Sequence, residues 1–167
     1  KEQQHLNAQR KNFQIAVEQI NRSLSYIFYS DSRISLHLES DQMYHLKVNG
    51  KAVSPDKISC GERNALALSY FFTEIAKETE FQKLYYDEML LVIDDPVSSF
   101  DVENRVGILS FLRYKLNQVL SSCATTKILM MTHDVGVMFD LQKAMEEISS
   151  YCAGVGKHAE YCSFQLI

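Results

Sequence analysis

Five apolar residues, Met89 to Ile93, run straight into Asp94-Asp95-Pro96 and then into a serine-rich turn, Ser98-Ser99-Phe100-Asp101. A short apolar run bounded by charge and proline predicts a strand buried on both faces, and open α/β sheets collect ligands outside the carboxyl ends of such strands. Two carboxylates at that lip have the chemistry to hold a hard cation and to orient and deprotonate a water molecule. The competing reading is a plain turn, because Asp and Pro both favour chain reversal. Two other segments accompany the pair in order. Ile58-Ser59-Cys60-Gly61-Glu62-Arg63 opens a helix upstream, and a second apolar run, Lys127 to Met131, ends downstream in Thr132-His133-Asp134.

Each of these segments also has a purely structural explanation. Ser59 and Glu62 have the Ser-x-x-Glu spacing of a capping box, in which both side chains satisfy orphan amides. The same helix end carries free N–H groups and partial positive charge that suit a phosphate, and Gly61 permits close approach of a ligand to the backbone. Ser98, Ser99 and Asp101 are residue types that cap a following helix. His133 alone would be an ordinary loop histidine.

In their order these segments resemble the ATP-binding cassette ATPases, in the branch that holds SMC-like and anticodon-nuclease-like proteins with long coiled-coil insertions. The resemblance spans about Leu24 to Met138. Ser59-Cys60-Gly61-Glu62 looks like the signature motif, Leu90 to Asp95 like the Walker B strand, Pro96 to Asp101 like the D-loop, and His133 like the switch histidine. The wording DDPVSSFD, followed by Thr-His-Asp, is most similar to bacterial stress and phage-defence ATPases. The resemblance implies an α/β fold of P-loop NTPase type, the C-terminal lobe of an ABC-type head with a mostly parallel sheet flanked by helices. It implies ATP and Mg²⁺ as cofactors, with Asp94 on the metal, Asp95 as general base and His133 at the transferring phosphate. It further implies a homodimer closed around nucleotide, with Ser59, Gly61 and Glu62 facing the γ-phosphate held by the opposite subunit, and Ser99 and Asp101 in the segment that crosses the interface. One departure stands out. Asp95 occupies the place where transporters carry a longer glutamate, so the water it holds must sit closer to the strand or the strand end must move.

No G-x-x-x-x-G-K-[ST] occurs in the chain, which has only six glycines and opens on Lys1. Without that loop there is no amide cradle and no lysine for the β- and γ-phosphates. The expectation is therefore the C-terminal lobe of a split head, inactive alone and completed by an N-terminal lobe that carries the P-loop.

The remaining elements frame this site. Leu6, Phe13, Val17, Ile20, Leu24 and Ile27 make a heptad stripe, interrupted by Arg10, which predicts an amphipathic helix or the end of a coiled-coil arm over residues 1–30, ahead of the lobe at 31–167. Ile34, Leu36 and Leu38, then Tyr44, Leu46 and Val48, alternate as two strands of a hairpin joined through Glu39 to Gln42. Asn49-Gly50 turns the chain, and Gly50 to Lys57 reads as a loop. Helices are expected from Glu62 to about Thr79 with Leu66, Ala67, Tyr70, Phe71 and Ile75 inward, from Val102 to Ser122 with Val106, Leu109, Leu112, Leu116 and Leu120 aligned, and from Val135 to Ile148. Phe81 to Glu88 is a connector, and Tyr161 to Ile167 alternates like a closing strand. Strand, helix, strand, helix implies parallel pairing.

Composition sets outer bounds. A chain of 167 residues with 46% apolar content can form a sizeable core. No apolar run is long enough for a membrane span, and the polar N-terminus has no secretory signal, so the expected compartment is the cytoplasm. A net charge of −4 without a basic block makes this piece a poor nucleic-acid binder, and any nucleic-acid contact of the parent protein is expected outside it. Arg10-Lys11 and Arg113 to Lys115 read as solvated helix faces. Cys60, Cys123, Cys152 and Cys162 lack a metal spacing, and a zinc site at Cys152, His158 and Cys162 has no fourth ligand in view. The leading expectation is a bacterial ATPase of stress, phage defence or nucleic-acid processing. The alternatives are a nucleotide-gated dimerisation module and, behind it, a transporter ATPase subunit.

Overall fold

The computed structural model describes residues 2–38, 43–76, 88–157 and 159–164, with side chains from Phe13 onward. The chain divides into two compact units, Lys1–Glu74 and Ile75–Ile167.

In the first unit, helix α1 (Glu2–Phe28) packs on strand β1 (Ile34–Leu38) and helix α2 (Cys60–Glu74). Val17, Ile20, Leu24 and Ile27 of the heptad stripe are buried, whereas Phe13 is 51% exposed, so the stripe faces the core from Val17 onward and not at Phe13. Leu6, Arg10 and Lys11 have side chains outside the described residues. β1 pairs antiparallel with β2 (Tyr44–Val48), matching Ile34 to Val48 and Leu36 to Leu46 as the alternation predicts. Asn21 clamps the outer edge of β1: its Oδ1 accepts from the Leu36 amide at 2.7 Å and its Nδ2 donates to the Leu36 carbonyl at 2.8 Å. That bond pair occupies backbone groups an edge strand otherwise leaves open.

The stretch after Gly50 differs from the expected loop. Lys51–Val53 form a third strand, β3, antiparallel to β2. Asn49 and Gly50 both have positive φ, 50° and 76°, which is the backbone of a tight two-residue hairpin. α2 also departs from expectation. It runs from Cys60 to Glu74, and Thr79 lies outside the described residues, as do 39–42 and most of the 81–88 connector. Its buried positions are Ala65, Ser69 and Phe72, while Ala67 and Tyr70 are exposed. The inward face therefore runs through two small residues and Phe72, which is fully buried, and not through Leu66, Ala67, Tyr70 and Phe71 as expected.

In the second unit, β4 (Leu90–Asp94) and β5 (Lys127–Met131) pair in parallel, with Asp94 opposite Met131. This is the only parallel pairing among the described residues; the sheet of the first unit is antiparallel throughout. Helix α3 (Val102–Ser122) connects the two strands and packs on α4 (Val135–Gly154). Leu91 and Ile93 are buried, but Leu90 and Val92 are 66% and 52% exposed. β4 is therefore covered on one face only by the described residues, not on both as its unbroken apolar run suggested. The core of this unit comes from Ile108, Phe111, Leu112, Leu116 and Val119 of α3 with Val137, Leu141, Ile148 and Cys152 of α4. Val106, expected inward, is 62% exposed, because Asn104, Gly107 and Ile108 take the inner face at that turn. α4 continues past Ile148, since Cys152 extends the stripe by one turn. It closes where Gly156 adopts φ 71° and the Gly156 and Lys157 amides bond back to Ala153 and Cys152. Tyr161 to Phe164 form no strand, and 165–167 lie outside the described residues.

Candidate functional site

The site is built at the carboxyl ends of β4 and β5. The parallel ladder extends one residue past β4, where the Asp95 amide donates to the Met131 carbonyl at 2.8 Å. Asp95 itself sits at φ 47°, a left-handed conformation that costs a non-glycine residue of order 1 kcal/mol and that Asp and Asn take most readily. The bend is stabilised from below. Pro96, Val97 and Phe100 of the following turn are buried, so the chain cannot drift from the core as it leaves the strand.

Both Asp95 carboxylate oxygens are engaged from the neighbouring strand end. Thr132 Oγ1 donates to Oδ1 at 3.0 Å, and His133 Nδ1 lies 2.9 Å from Oδ2. The carboxylate is 29% exposed and the imidazole 79%, so the pair is anchored on one side and open on the other. Asp94, the last residue of β4, is exposed and continues the exposed alternation of Leu90 and Val92. Its carboxylate has no hydrogen bond or ion pair among the described residues. One free carboxylate suits Mg²⁺, which takes only one or two protein oxygens in phosphate sites and keeps water on the rest of its shell. No cluster of three or more His, Cys, Asp or Glu able to hold a metal exists among the described residues, and His158 of the suggested zinc set lies outside them. Cys60, Cys123, Cys152 and Cys162 are free thiols.

Asp134 caps α4, accepting from the Val137 amide at 3.1 Å, while its own amide donates to Thr132 Oγ1 at 3.2 Å. Its second oxygen pairs with Arg105 of α3 at 3.1 Å. The Val137 amide, with the Arg105 guanidinium adding to it, holds the Asp134 carboxyl below the usual carboxylate range. The sequence showed Thr132 and Asp134 only as the neighbours of His133, with no role of their own, and did not single out Arg105. Arg105 lies 29 residues from its partner, so no local spacing announces the pair.

Asp101 accepts from the Asn104 amide at 2.9 Å and is the N-cap of α3. Ser99 lies in the same turn and is half-buried. Ser98 Oγ is buried and has no hydrogen-bond partner among the described residues. Asp101→Ala should destabilise the second unit by about 0.5–2 kcal/mol and Asp101→Asn far less, since asparagine caps as well as aspartate. Urea unfolding followed by circular dichroism reads both.

Ser59, Gly61 and Glu62 belong to the first unit. They form the capping box their spacing suggested: the Ser59 amide donates to Glu62 Oε2 at 2.9 Å and the Glu62 amide to Ser59 Oγ at 3.2 Å. Arg33 Nε lies 3.5 Å from the other Glu62 oxygen. Ser59 and Cys60 are exposed, so this helix end is open to solvent.

Residues 1–166 match the AAA_13 family, described as an AAA domain. The chain belongs to that family. Two curated relatives in Staphylococcus aureus, one of them from strain MRSA252, are each called uncharacterized chromosomal cassette SCCmec type IVc protein CR006. Each is 32% identical over 97 residues, covering 52% of this chain and 14% of the relative. The AAA domain thus spans a small part of the curated relatives it matches. A solved SMC head domain from Thermotoga maritima is 19% identical, with a TM-score of 0.45 over 79% of this chain and 44% of that one. No described helix of this AAA domain is long and apolar enough to cross a membrane.

Proposed function

We propose that this AAA domain supplies the metal-binding and water-activating side of an SMC-like, ABC-type ATPase head, in a protein that dimerises around ATP and Mg²⁺. Membership in a family of ATPase domains supports the general activity. The observation that carries the finer reading is the carboxylate pair at the end of β4, with Asp95 held on both oxygens and Asp94 left free. Asp94 would hold Mg²⁺, which when bound neutralises phosphate charge. Asp95 would take the proton of a water as that water attacks the γ-phosphorus and the bond to the bridging oxygen of ADP breaks. Each Asp95 oxygen keeps a second lone pair for this task. His133, largely exposed beside Asp95, would donate to the transferring phosphate. Ser59, Gly61 and Glu62 would face the nucleotide of the opposite subunit from an open helix end, and Ser99 and Asp101 would lie at the dimer interface. The P-loop that completes the site would come from another part of the protein, and bacterial stress or phage defence is the role in which this reading places the whole.

The test is metal dependence. In the whole protein, Asp94→Asn should raise the Mg²⁺ concentration that gives half-maximal ATP turnover by about 10- to 100-fold, the usual cost of losing a group that orients a metal's shell. An unchanged Mg²⁺ profile would remove Asp94 from the site.

A further inference from the structure

We propose that Thr132 is a positioning residue for Asp95, holding the carboxylate in the one orientation from which it takes a proton. The inference rests on the reading of Asp95 as the base. Its geometric basis is the direction of two hydrogen bonds. A threonine hydroxyl has one proton to give and two lone pairs to offer. The Asp134 amide donates to Thr132 Oγ1 at 3.2 Å, which fills a lone pair and leaves the single proton for Asp95 Oδ1 at 3.0 Å. The hydroxyl is thereby oriented by the backbone, and the carboxylate by the hydroxyl.

The arrangement is anchored at every point. Asp134 is fixed as the cap of α4 by the Val137 amide and tied to α3 by Arg105. Thr132 follows directly on β5, whose last residue accepts the Asp95 amide. Asp95 is thus gripped at its amide by Met131 and at Oδ1 by Thr132, consecutive residues of one strand end. His133, the next residue, meets Oδ2 but is 79% exposed, and an exposed side chain constrains a rotamer poorly. Of the two contacts to the carboxylate, the half-buried hydroxyl is the one that fixes its plane.

Thr132→Ser and Thr132→Ala remove the same methyl and differ only in the hydroxyl, so their comparison isolates the hydrogen bond. In the whole protein, Thr132→Ala should lower kcat for ATP hydrolysis about tenfold with little change in KM, the size of one hydrogen bond to a charged group, and Thr132→Ser should restore it. In an Asp95→Asn background the Ala exchange should have no further effect, because a positioning residue has nothing left to position. A second readout needs no turnover. In the nucleotide-free protein the Asp95 carboxyl ¹³C resonance should shift in Thr132→Ala and remain in place in Thr132→Ser. Equal kcat for Ser and Ala with an unmoved resonance would overturn the proposal, as would an undiminished Ala effect in the Asp95→Asn background. If Asp95→Asn itself leaves turnover intact, the reading of Asp95 as base fails instead, and the two failures are separable.

Discussion

Asp95→Asn is expected to lower ATP turnover of the whole protein by about 10²- to 10⁴-fold, the span a well-placed general base contributes. Asparagine is a close mimic in every other respect. It takes the left-handed backbone at φ 47° as readily as aspartate, and its Oδ1 still accepts from Thr132. The amide can donate to His133 Nδ1 once the imidazole shifts its proton to the other nitrogen. What is lost is negative charge and the capacity to accept a proton. Single-turnover hydrolysis at saturating Mg-ATP measures the chemical step, and thermal unfolding of the same protein verifies that the fold is unchanged. Turnover equal to wild type would exclude Asp95 as the base.

The second large effect falls on stability. Phe111 is 1% exposed at the centre of α3, among side chains of the second unit that are equally buried. Phe111→Ala should cost about 3–5 kcal/mol, combining lost transfer free energy with the cavity left behind. Val102, at the start of the same helix, is 84% exposed, and its truncation should stay within about 0.5 kcal/mol. Guanidinium unfolding of the two variants separates them. A small loss at Phe111 would mean that α3 is not the core helix described above. Because α3 begins at the Asp101 cap and carries Arg105, loosening it also reaches the hydrogen bonds around Asp134.

Much of this architecture was legible from residue types alone. The bounds of α3 follow from a strong N-cap at Asp101 and an apolar stripe that runs out at Ser122. The turn at Asn49-Gly50 followed from the two residues that best tolerate positive φ. β3 was missed because three residues, two of them exposed, leave no periodic signal. The face of α2 was misjudged by about one position, because Ala65 and Ser69 share the buried side with Phe72 and hydrophobicity alone does not single out residues that small. The outward side of β4 was misjudged for a different reason: Leu90 and Val92 are as apolar as a buried strand, but no described element covers them. At the site, the carboxylates and the histidine were legible as a pattern. Thr132 and Arg105 were not, since their partners lie 37 and 29 residues away and only the fold brings them close.

The bend at Asp95 also accounts for the length of its side chain. Where the chain turns left-handed, residues whose short polar arms tolerate that twist are favoured, and glutamate is not among them. The short acid that stands here suits a peptide wound the uncommon way, so reach and backbone handedness are met together by one residue type.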